Sequence, residues 1–320
     1  MNKHTKIYIA GHRGLAGSAI VRELQRQGYT NLIGRAHAEL DLEDATSTQH
    51  FFDQERPEVV FLAAAKVGGI HANNSYPVEF LMSNLLVESN VCRAAYATGV
   101  NRLIFLGSSC IYPRDCPQPI KEEYLLTGPL ESTNRAYALA KIAGIEMCWS
   151  YNRQYGTKWL AAMPTNLYGP GDNYDLNNSH VVPALIRKIH EAKVTGDAEV
   201  VLWGSGTPKR EFLYVDDLAN ALVFLASLDD QRYNVLTNPD QCPLINVGTG
   251  QDLTIRALAE MCAEVAGYNG KFVQDTSKPD GTMRKVLDVS KIRNQGWVPK
   301  IDLKEGIALA YNSYLESLSL

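Results

Sequence analysis

Tyr137 and Lys141 stand four residues apart in Tyr137-Ala-Leu-Ala-Lys141. On a helix that spacing puts a phenol and an ammonium on one face, within reach of one ligand. An ammonium beside a phenol favours the phenolate, so the pair predicts a tyrosine with a lowered pKa that exchanges a proton with a carbonyl oxygen near neutral pH. The same pair is also ordinary helix surface. Ser108 shifts the balance: it follows the apolar run Arg102-Leu-Ile-Phe-Leu106 within Leu106-Gly-Ser-Ser-Cys110, and ligands of open parallel sheets bind beyond the carboxyl ends of strands. A hydroxyl there can hold a substrate carbonyl toward Tyr137, the candidate proton donor.

A second signal lies upstream. Gly11-His-Arg-Gly14-Leu-Ala-Gly17 directly follows the apolar run Lys6-Ile-Tyr-Ile-Ala10. Glycines at a first strand-to-helix junction permit a tight turn and let backbone N–H groups approach a pyrophosphate, while the helix N-terminus supplies positive potential. Gly11, His12, Arg13, Gly14, Leu15, Ala16 and Gly17 are therefore candidate dinucleotide contacts, in GxxGxxG rather than GxGxxG spacing. NAD-selective sites place an acid near the end of the second strand. Here that stretch reads Ile33-Gly34-Arg35-Ala36-His37, with no acid until Glu39. Arg13, Arg35 and His37 could attract a 2′-phosphate that a carboxylate would repel, which favours NADPH. The alternative is that these are solvated surface arginines.

These groups need a scaffold, and the hydrophobic pattern supplies one. Strand-like runs at residues 6–10, 31–34, 58–64, 102–106 and 159–163 alternate with helix-like segments at 17–28, 45–55, 77–98 and 136–155. Apolar strands alternating with helices imply a parallel sheet covered on both faces. The expected fold is α/β, a Rossmann-type doubly wound parallel sheet with a smaller C-terminal substrate-binding α/β lobe. Residues 1–170 read as the NADP-binding domain and 171–320 mainly as the substrate lobe, interleaved with the first. After Pro170 loops rich in Asn, Gly and Pro take over, and such loops ring binding sites more often than cores.

The bulk properties narrow the class. The 320 residues are 45% hydrophobic and 21% charged, with a formal charge of −4 and no polybasic run, so neither nucleic acid nor an anionic membrane is an expected partner. The apolar run after Met1 is too short for a signal peptide, no stretch suits a membrane span, and a cytoplasmic enzyme is expected. Six scattered cysteines lack CxxC spacing, so free thiols are expected rather than disulfides or a zinc site, and no metal is expected.

Glycine turn, strand-end serine and YxxxK helix, in that order, resemble the short-chain dehydrogenase/reductase family in its extended, sugar-nucleotide-modifying branch. Narrower stretches are similar to the GDP-L-fucose synthase family: Ala63-Ala-Ala-Lys-Val-Gly-Gly-Ile70, His71-Ala-Asn-Asn74, Gly107-Ser-Ser-Cys-Ile-Tyr-Pro113, Ala140-Lys-Ile-Ala-Gly-Ile145, Met163-Pro-Thr-Asn-Leu-Tyr-Gly-Pro170, Asn178-Ser-His-Val181, Arg210-Glu-Phe-Leu213 and Lys278-Pro-Asp-Gly281. The resemblance implies NADPH-dependent 3,5-epimerisation and 4-reduction of GDP-4-keto-6-deoxy-D-mannose to GDP-L-fucose, by a homodimer formed through helices such as 77–98 and 136–155.

It also implies roles. Cys110 would take the acidic proton next to the C4 ketone and His180 would return one, while Ser108, Tyr137 and Lys141 support the enolate and the later reduction. A buried cysteine and a helix-capping histidine are the bland readings of these two residues. His180 follows Asn178-Ser179, good N-cap residues, and a helix N-terminus disfavours imidazolium. Lys141 would also bind the nicotinamide ribose. Asp41 and Leu42 would lie near the adenine, and Leu106, Gly107, Pro164, Asn166, Leu167 and His180 would also border the cofactor. Lys188, Trp203, Arg210 and Asp280 would line the nucleotide-sugar pocket, cations meeting phosphate and Trp203 facing guanine. Lys188 and His37 stand where the family more often has arginine. The rival readings are a sibling GDP-sugar epimerase/reductase of a colitose or deoxyheptose route, an NAD-recycling dehydratase or 4-epimerase, and a non-catalytic NADP-binding sensor.

Overall fold

The computed structural model describes residues 1–176, 178–278 and 280–319, and the backbone alone at residues 70 and 71. Pro279 of the Lys278 to Gly281 stretch lies outside the described residues, as do the side chains of Ile70 and His71 in the two stretches that meet there.

In the first half the elements are β1 (Ile7–Ala10), α1 (Leu15–Arg26), β2 (Leu32–Ile33), α2 (Ala45–Glu55), β3 (Val59–Leu62), α3 (Ile70–Ser75), α4 (Pro77–Ala97), β4 (Arg102–Leu106), α5 (Arg135–Tyr155) and β5 (Lys158–Pro164). Every residue of β1 and β3 is buried, as strands covered on both faces require. Helix ends follow local chemistry. Asp44 caps α2 by accepting the Ser47 N–H at 2.6 Å, α4 opens on Pro77, and α5 stops at left-handed Gly156. The second strand, pairing only at Leu32 and Ile33, is shorter than the run 31–34 suggests, and the imidazole of His12 packs where a side chain at Gly34 would stand.

The second half contains β6 (Asn166–Tyr168), α6 (Val181–Thr195), β7 (Glu199–Trp203), β8 (Lys209–Arg210), β9 (Phe212–Tyr214), α7 (Val215–Ser227), α8 (Asp230–Leu236), β10 (Leu244–Val247), β11 (Leu253–Thr254), α9 (Ile255–Ala266), β12 (Lys271–Asp275), β13 (Arg284–Lys285), α10 (Ser290–Asn294) and α11 (Leu303–Leu318). The main sheet is wholly parallel, in the order β10-β5-β4-β3-β1-β2. Because β2 and β3 flank β1, the strand order reverses there and leaves a crevice beyond the carboxyl ends of β1 and β3. α1 packs against α7, and α2, α4 and α5 pack in series. Right-handed crossovers put α1 on one face of the sheet and the α2, α4, α5 series on the other. A second core gathers around α6, α9 and α11. Among the described residues no helix is long and apolar enough to cross a membrane, and the six cysteines are free thiols.

β10 belongs by sequence to the second half and by pairing to the main sheet. The junction it creates is tied by Glu211, which has no exposed surface. One carboxylate oxygen accepts the N–H groups of Thr249 at 2.6 Å and Gly250 at 2.8 Å, and the other accepts that of Leu287 at 2.7 Å. Replacing Glu211 by Ala leaves these donors buried without an acceptor, at a cost of about 3 kcal/mol or more. At about 2 °C per kcal/mol for a chain of this size, calorimetry of Glu211→Ala should show Tm falling by about 6 °C or more.

Candidate active site

The glycine turn follows β1 into the crevice. Gly11 takes φ +82°, and a Cβ there would lie 2.8 Å from the backbone of Ala64, just past β3. Gly14 is the N-cap of α1, contributes no side-chain cap, and donates its N–H to the Gly11 carbonyl at 2.9 Å. Gly17 lies directly under that carbonyl. The first-turn N–H groups of α1, at Leu15, Ala16 and Gly17, have no intrahelical acceptors. A backbone cradle at an uncapped helix N-terminus fits a pyrophosphate.

Of the candidate phosphate-binding cations, Arg13 is exposed on this turn. Arg35 is engaged, donating to Glu55 at 2.7 Å and to the Gly34 carbonyl at 3.0 Å. His37 is exposed, with Nδ1 3.8 Å from the Asp41 carboxylate. Glu39 accepts the Ala36 N–H at 2.6 Å. That bond, with attraction from Arg13, Arg35 and His12, holds its carboxyl below the usual range. The first acid after β2 thus sits among the very cations proposed for the phosphate. Asp41 accepts the Glu43 N–H at 2.9 Å, and Asn90 of α4 donates to the carbonyl of buried Leu42 at 3.0 Å, which pins this loop.

At the end of β4, Ser108 caps a single 3₁₀ turn over Ser109–Ile111. Its Oγ faces the Cys110 N–H at 3.5 Å. Gly107 packs under Met163. From α5 come Tyr137 and Lys141. The ammonium of Lys141 donates to the Leu106 carbonyl at 3.1 Å and lies 3.1 Å from Glu88 of α4. Its distance to the Tyr137 ring centroid is 5.8 Å. The expectation that Lys141 lowers the Tyr137 pKa is not met. Burial pushes the phenol well above its ordinary value, Cys110 and Glu88 add to that, and the Ser108 hydroxyl opposes it. The ammonium is paired with Glu88.

Cys110 is buried, and desolvation raises its thiol pKa against the pull of Lys285, Ser108 and Lys141. Lys285 escaped the sequence reading. It lies on β13, in register with Arg210 of β8, and nothing in its spacing marks it. His180 is itself the N-cap of α6, with no side-chain capping bond. This corrects the placement of the cap at Asn178-Ser179 and removes the capping-histidine reading. It keeps access to solvent while hemmed by protein, and desolvation lowers its imidazole pKa. The loop before it touches the one after β3: a Cβ at Gly69 would be 3.4 Å from the Asn178 carbonyl. Pro164 ends β5. Asn166 donates to the Glu211 carbonyl at 2.8 Å, and Leu167 packs against the main core.

The remaining residues form one strip. The Lys188 ammonium stands 4.9 Å and that of Lys278 5.4 Å from the Trp203 ring centroid. Trp203 is 59% exposed. Lys188 also donates to the Val201 carbonyl at 3.4 Å. Asp280 accepts the Ser205 N–H at 2.6 Å and attracts Arg210, whose pKa burial lowers. Since Arg210 neighbours Lys285 and Lys285 faces Cys110, a basic strip runs from the thiol to the exposed indole. It suits an extended anion ending in a planar ring.

The thiol's electrostatics are open to test. Peptide-resolved alkylation of Cys110 against pH should give a midpoint above that of an ordinary cysteine. Lys285→Met should move it higher still, because the cation that favours thiolate is gone.

Residues 7–235 match the model of the NAD dependent epimerase/dehydratase family. The chain is 56% identical over 317 residues to GDP-L-fucose synthase 1 of Arabidopsis thaliana, covering 99% of this chain and 95% of that one. It is 52% identical to GDP-L-fucose synthase of Escherichia coli strain K12, covering 98% and 97%. The solved structure of a GDP-D-glycero-L-gluco-heptose synthase from Campylobacter jejuni, in the presence of NADPH, is similar with TM-score 0.92 and 37% identity, covering 98% and 99%. Such likeness over nearly the whole length, on a six-stranded parallel sheet with a glycine cradle at its crevice, means that the chain belongs to the NAD dependent epimerase/dehydratase family, among its GDP-L-fucose synthases.

Proposed function

We propose that this chain epimerises C3 and C5 of GDP-4-keto-6-deoxy-D-mannose and reduces C4 with NADPH, giving GDP-L-fucose. The observation that carries this reading is that Ser108, whose Oγ lies 3.5 Å from the Cys110 N–H, and Cys110 lie on the turn beyond β4 against which α5, bearing Tyr137 and Lys141, packs. A proton-abstracting group and a carbonyl-binding pair can therefore act at one end of that strand. The full-length likeness to GDP-L-fucose synthases supports the choice of substrate.

The substrate's C4 carbonyl is held by the Ser108 and Tyr137 hydroxyls. Cys110, as thiolate, removes the proton α to that carbonyl, and the enolate oxygen is stabilised by the same two hydroxyls. His180 returns a proton on the opposite face at C3 and C5. Its lowered pKa makes the imidazolium a readier acid. For the reduction, the chemistry that bound NADPH supplies is a hydride for C4, and Tyr137 gives its proton to the C4 oxygen. Gly11 to Gly17 would hold the cofactor's pyrophosphate, Arg13 its 2′-phosphate, Asp41 and Leu42 its adenine side, and Lys141 the nicotinamide ribose. Lys188 and Arg210 would meet the GDP phosphates and Trp203 the guanine, with Asp280 orienting Arg210.

The two-lobe division near residue 170 belongs to this reading, with the lobes interleaved: one core joins first-half strands to α7, α8, β10 and α10, and a second gathers α6, α9 and α11. So does a homodimer: Val78, Met82 and Leu86 make an exposed apolar stripe on α4, with Leu139 of α5 also exposed, a face suited to a second copy. Six free thiols agree with a cytoplasmic site of action.

Incubation with NADPH and GDP-4-keto-6-deoxy-D-mannose, followed by NMR of the product sugar, tests the reading. GDP-L-fucose is expected; turnover only of a GDP-dideoxyhexose or GDP-heptose ketone would replace it with a sibling activity. Cys110→Ser should stop solvent deuterium entering C3 and C5, because a serine hydroxyl is a poor base near neutral pH, yet still reduce the unepimerised ketone slowly. Exchange at the wild-type rate would return Cys110 to packing. Arg13→Ala should raise the KM for NADPH about tenfold and leave that for NADH nearly unchanged, since one charge-assisted contact is lost; equal weakening would make Arg13 a shaper of the turn.

A further inference from the structure

α3 begins on the loop after β3, and one of its side chains turns back to hold that loop. Asn73 is 6% exposed, and its amide donates to the carbonyls of Gly68 at 2.7 Å and Gly69 at 3.0 Å. Its Oδ1 has no hydrogen-bond partner. A buried acceptor left unpaired is destabilising, so an apolar residue of the same size would serve packing alone better. What the amide adds is its two donors, and these fix the backbone of Gly68 and Gly69.

That backbone is a contact surface. A Cβ at Gly69 would stand 3.4 Å from the Asn178 carbonyl oxygen and 3.5 Å from that of Ser179, so Gly69 lies against the two residues that precede His180. Asn178 and Ser179 belong to no helix or strand. Their N–H groups both return to the Asp175 carbonyl, at 3.0 and 2.7 Å, a local turn that does not itself set where His180 stands relative to β4. On its other side the loop meets Phe80, a Cβ at Gly68 lying 3.0 Å from the ring, and Phe80 packs edge-on to the Tyr137 ring with centroids 6.3 Å apart. Phe80 and Tyr137, however, stand on α4 and α5, which pack against each other. Of the loop's two neighbours, the segment before His180 is therefore the one whose place depends on the loop.

We propose that Asn73 is a positioning residue of the epimerisation: by holding the Gly68 and Gly69 carbonyls it seats the loop against Asn178 and Ser179, and so sets the line along which His180 delivers its proton. This rests on His180 being the acid of the proposed reaction. In that step the enolate's C=C pair takes the proton from the imidazolium, forming the new C–H bond at C3 or C5 and restoring the C4 carbonyl. Neutral imidazole remains, and Cys110 keeps the proton it removed. Proton transfer to carbon needs a short, aligned approach, and a displacement of about 1 Å can cost about a hundredfold. Reduction at C4 makes no such demand on His180.

The test compares the two steps in one protein. Asn73→Leu removes both donors at nearly constant volume. With NADPH and GDP-4-keto-6-deoxy-D-mannose, NMR of the products should show the ratio of sugar inverted at both C3 and C5 to sugar reduced without full inversion falling about tenfold or more. The KM for NADPH should stay within about twofold of wild type, as should the first turnover of GDP-L-fucose with NADP⁺, which uses Tyr137 but returns no proton to C3 or C5. Asn73→Ser, which keeps one short donor, should give a smaller fall in the ratio. An unchanged ratio in Asn73→Leu overturns the proposal. So does a parallel loss of epimerisation and of GDP-L-fucose oxidation, or loss of the fold in both variants, since either makes Asn73 a packing residue. His180→Gln separates the two readings. If it shifts the ratio and Asn73→Leu does not, the positioning role alone falls; if neither shifts it, the assignment of His180 falls as well.

Discussion

Glu211 has to find acceptor work for both of its oxygens in a place with no water, and it does so by gathering backbone from three directions. Thr249 and Gly250 follow β10, Leu287 follows β13, and Glu211 itself lies between β8 and β9. Its own carbonyl receives Thr165 at 3.1 Å and Asn166 at 2.8 Å, just beyond β5. One residue thus joins the main sheet to the short strands of the second half. Arg210 precedes it and Lys285 lies in register with Arg210, so the position of the basic strip relative to β4 and β5 depends on this buried carboxylate. The main core already reaches across, since residues of α7, α8, β10 and α10 pack in it with β1, β3 and β4, and Glu211 adds a polar tie at the same junction.

Burial dominates the electrostatics of that site. The thiol of Cys110 and the phenol of Tyr137 are pushed up, and the imidazole of His180 is pushed down. In each case desolvation favours the neutral form. Charges are then reintroduced one at a time: Lys285 toward Cys110, Lys141 toward Glu88. This separates the groups by task. Lys285 pulls the thiol toward thiolate against the larger effect of burial, while burial keeps the phenol protonated.

Much of this was legible before any coordinates. The helix over 45–55 has the bounds its sequence implies, since Asp44 is a strong cap and the chain turns left-handed at Arg56. The strand-end serine, the glycine turn and the Tyr/Lys spacing were readable because each depends on neighbours a few residues away. The length of β2 was not, because it depends on which backbone groups pair with β1, only those of Leu32 and Ile33, which side-chain pattern does not mark. Nor was the N-cap of α6, where two better capping residues precede His180. Glu88, Glu211 and Lys285 were invisible for a deeper reason: a glutamate on an amphipathic helix or a lysine in a short strand looks the same whether solvated or buried. Only tertiary packing shows how deeply such a group is buried and which charge it meets, and the direction of the Tyr137 pKa is reversed chiefly because burial disfavours the phenolate.

β10 pairs with β5, Leu244–Val247 beside Ala161–Pro164, although residues 165–243 separate them in the chain. Order of synthesis and order in the sheet therefore disagree. As the chain leaves the ribosome, β1 to β5 can assemble while the outer edge of β5 keeps its N–H and C=O groups unpaired. At about 5–20 residues per second, that edge waits on the order of ten seconds for its final strand. During that interval the nascent chain carries an open, apolar strand edge that any other extended chain can join. Pairing that edge is left to a strand made last, so the sheet closes only when the second half arrives.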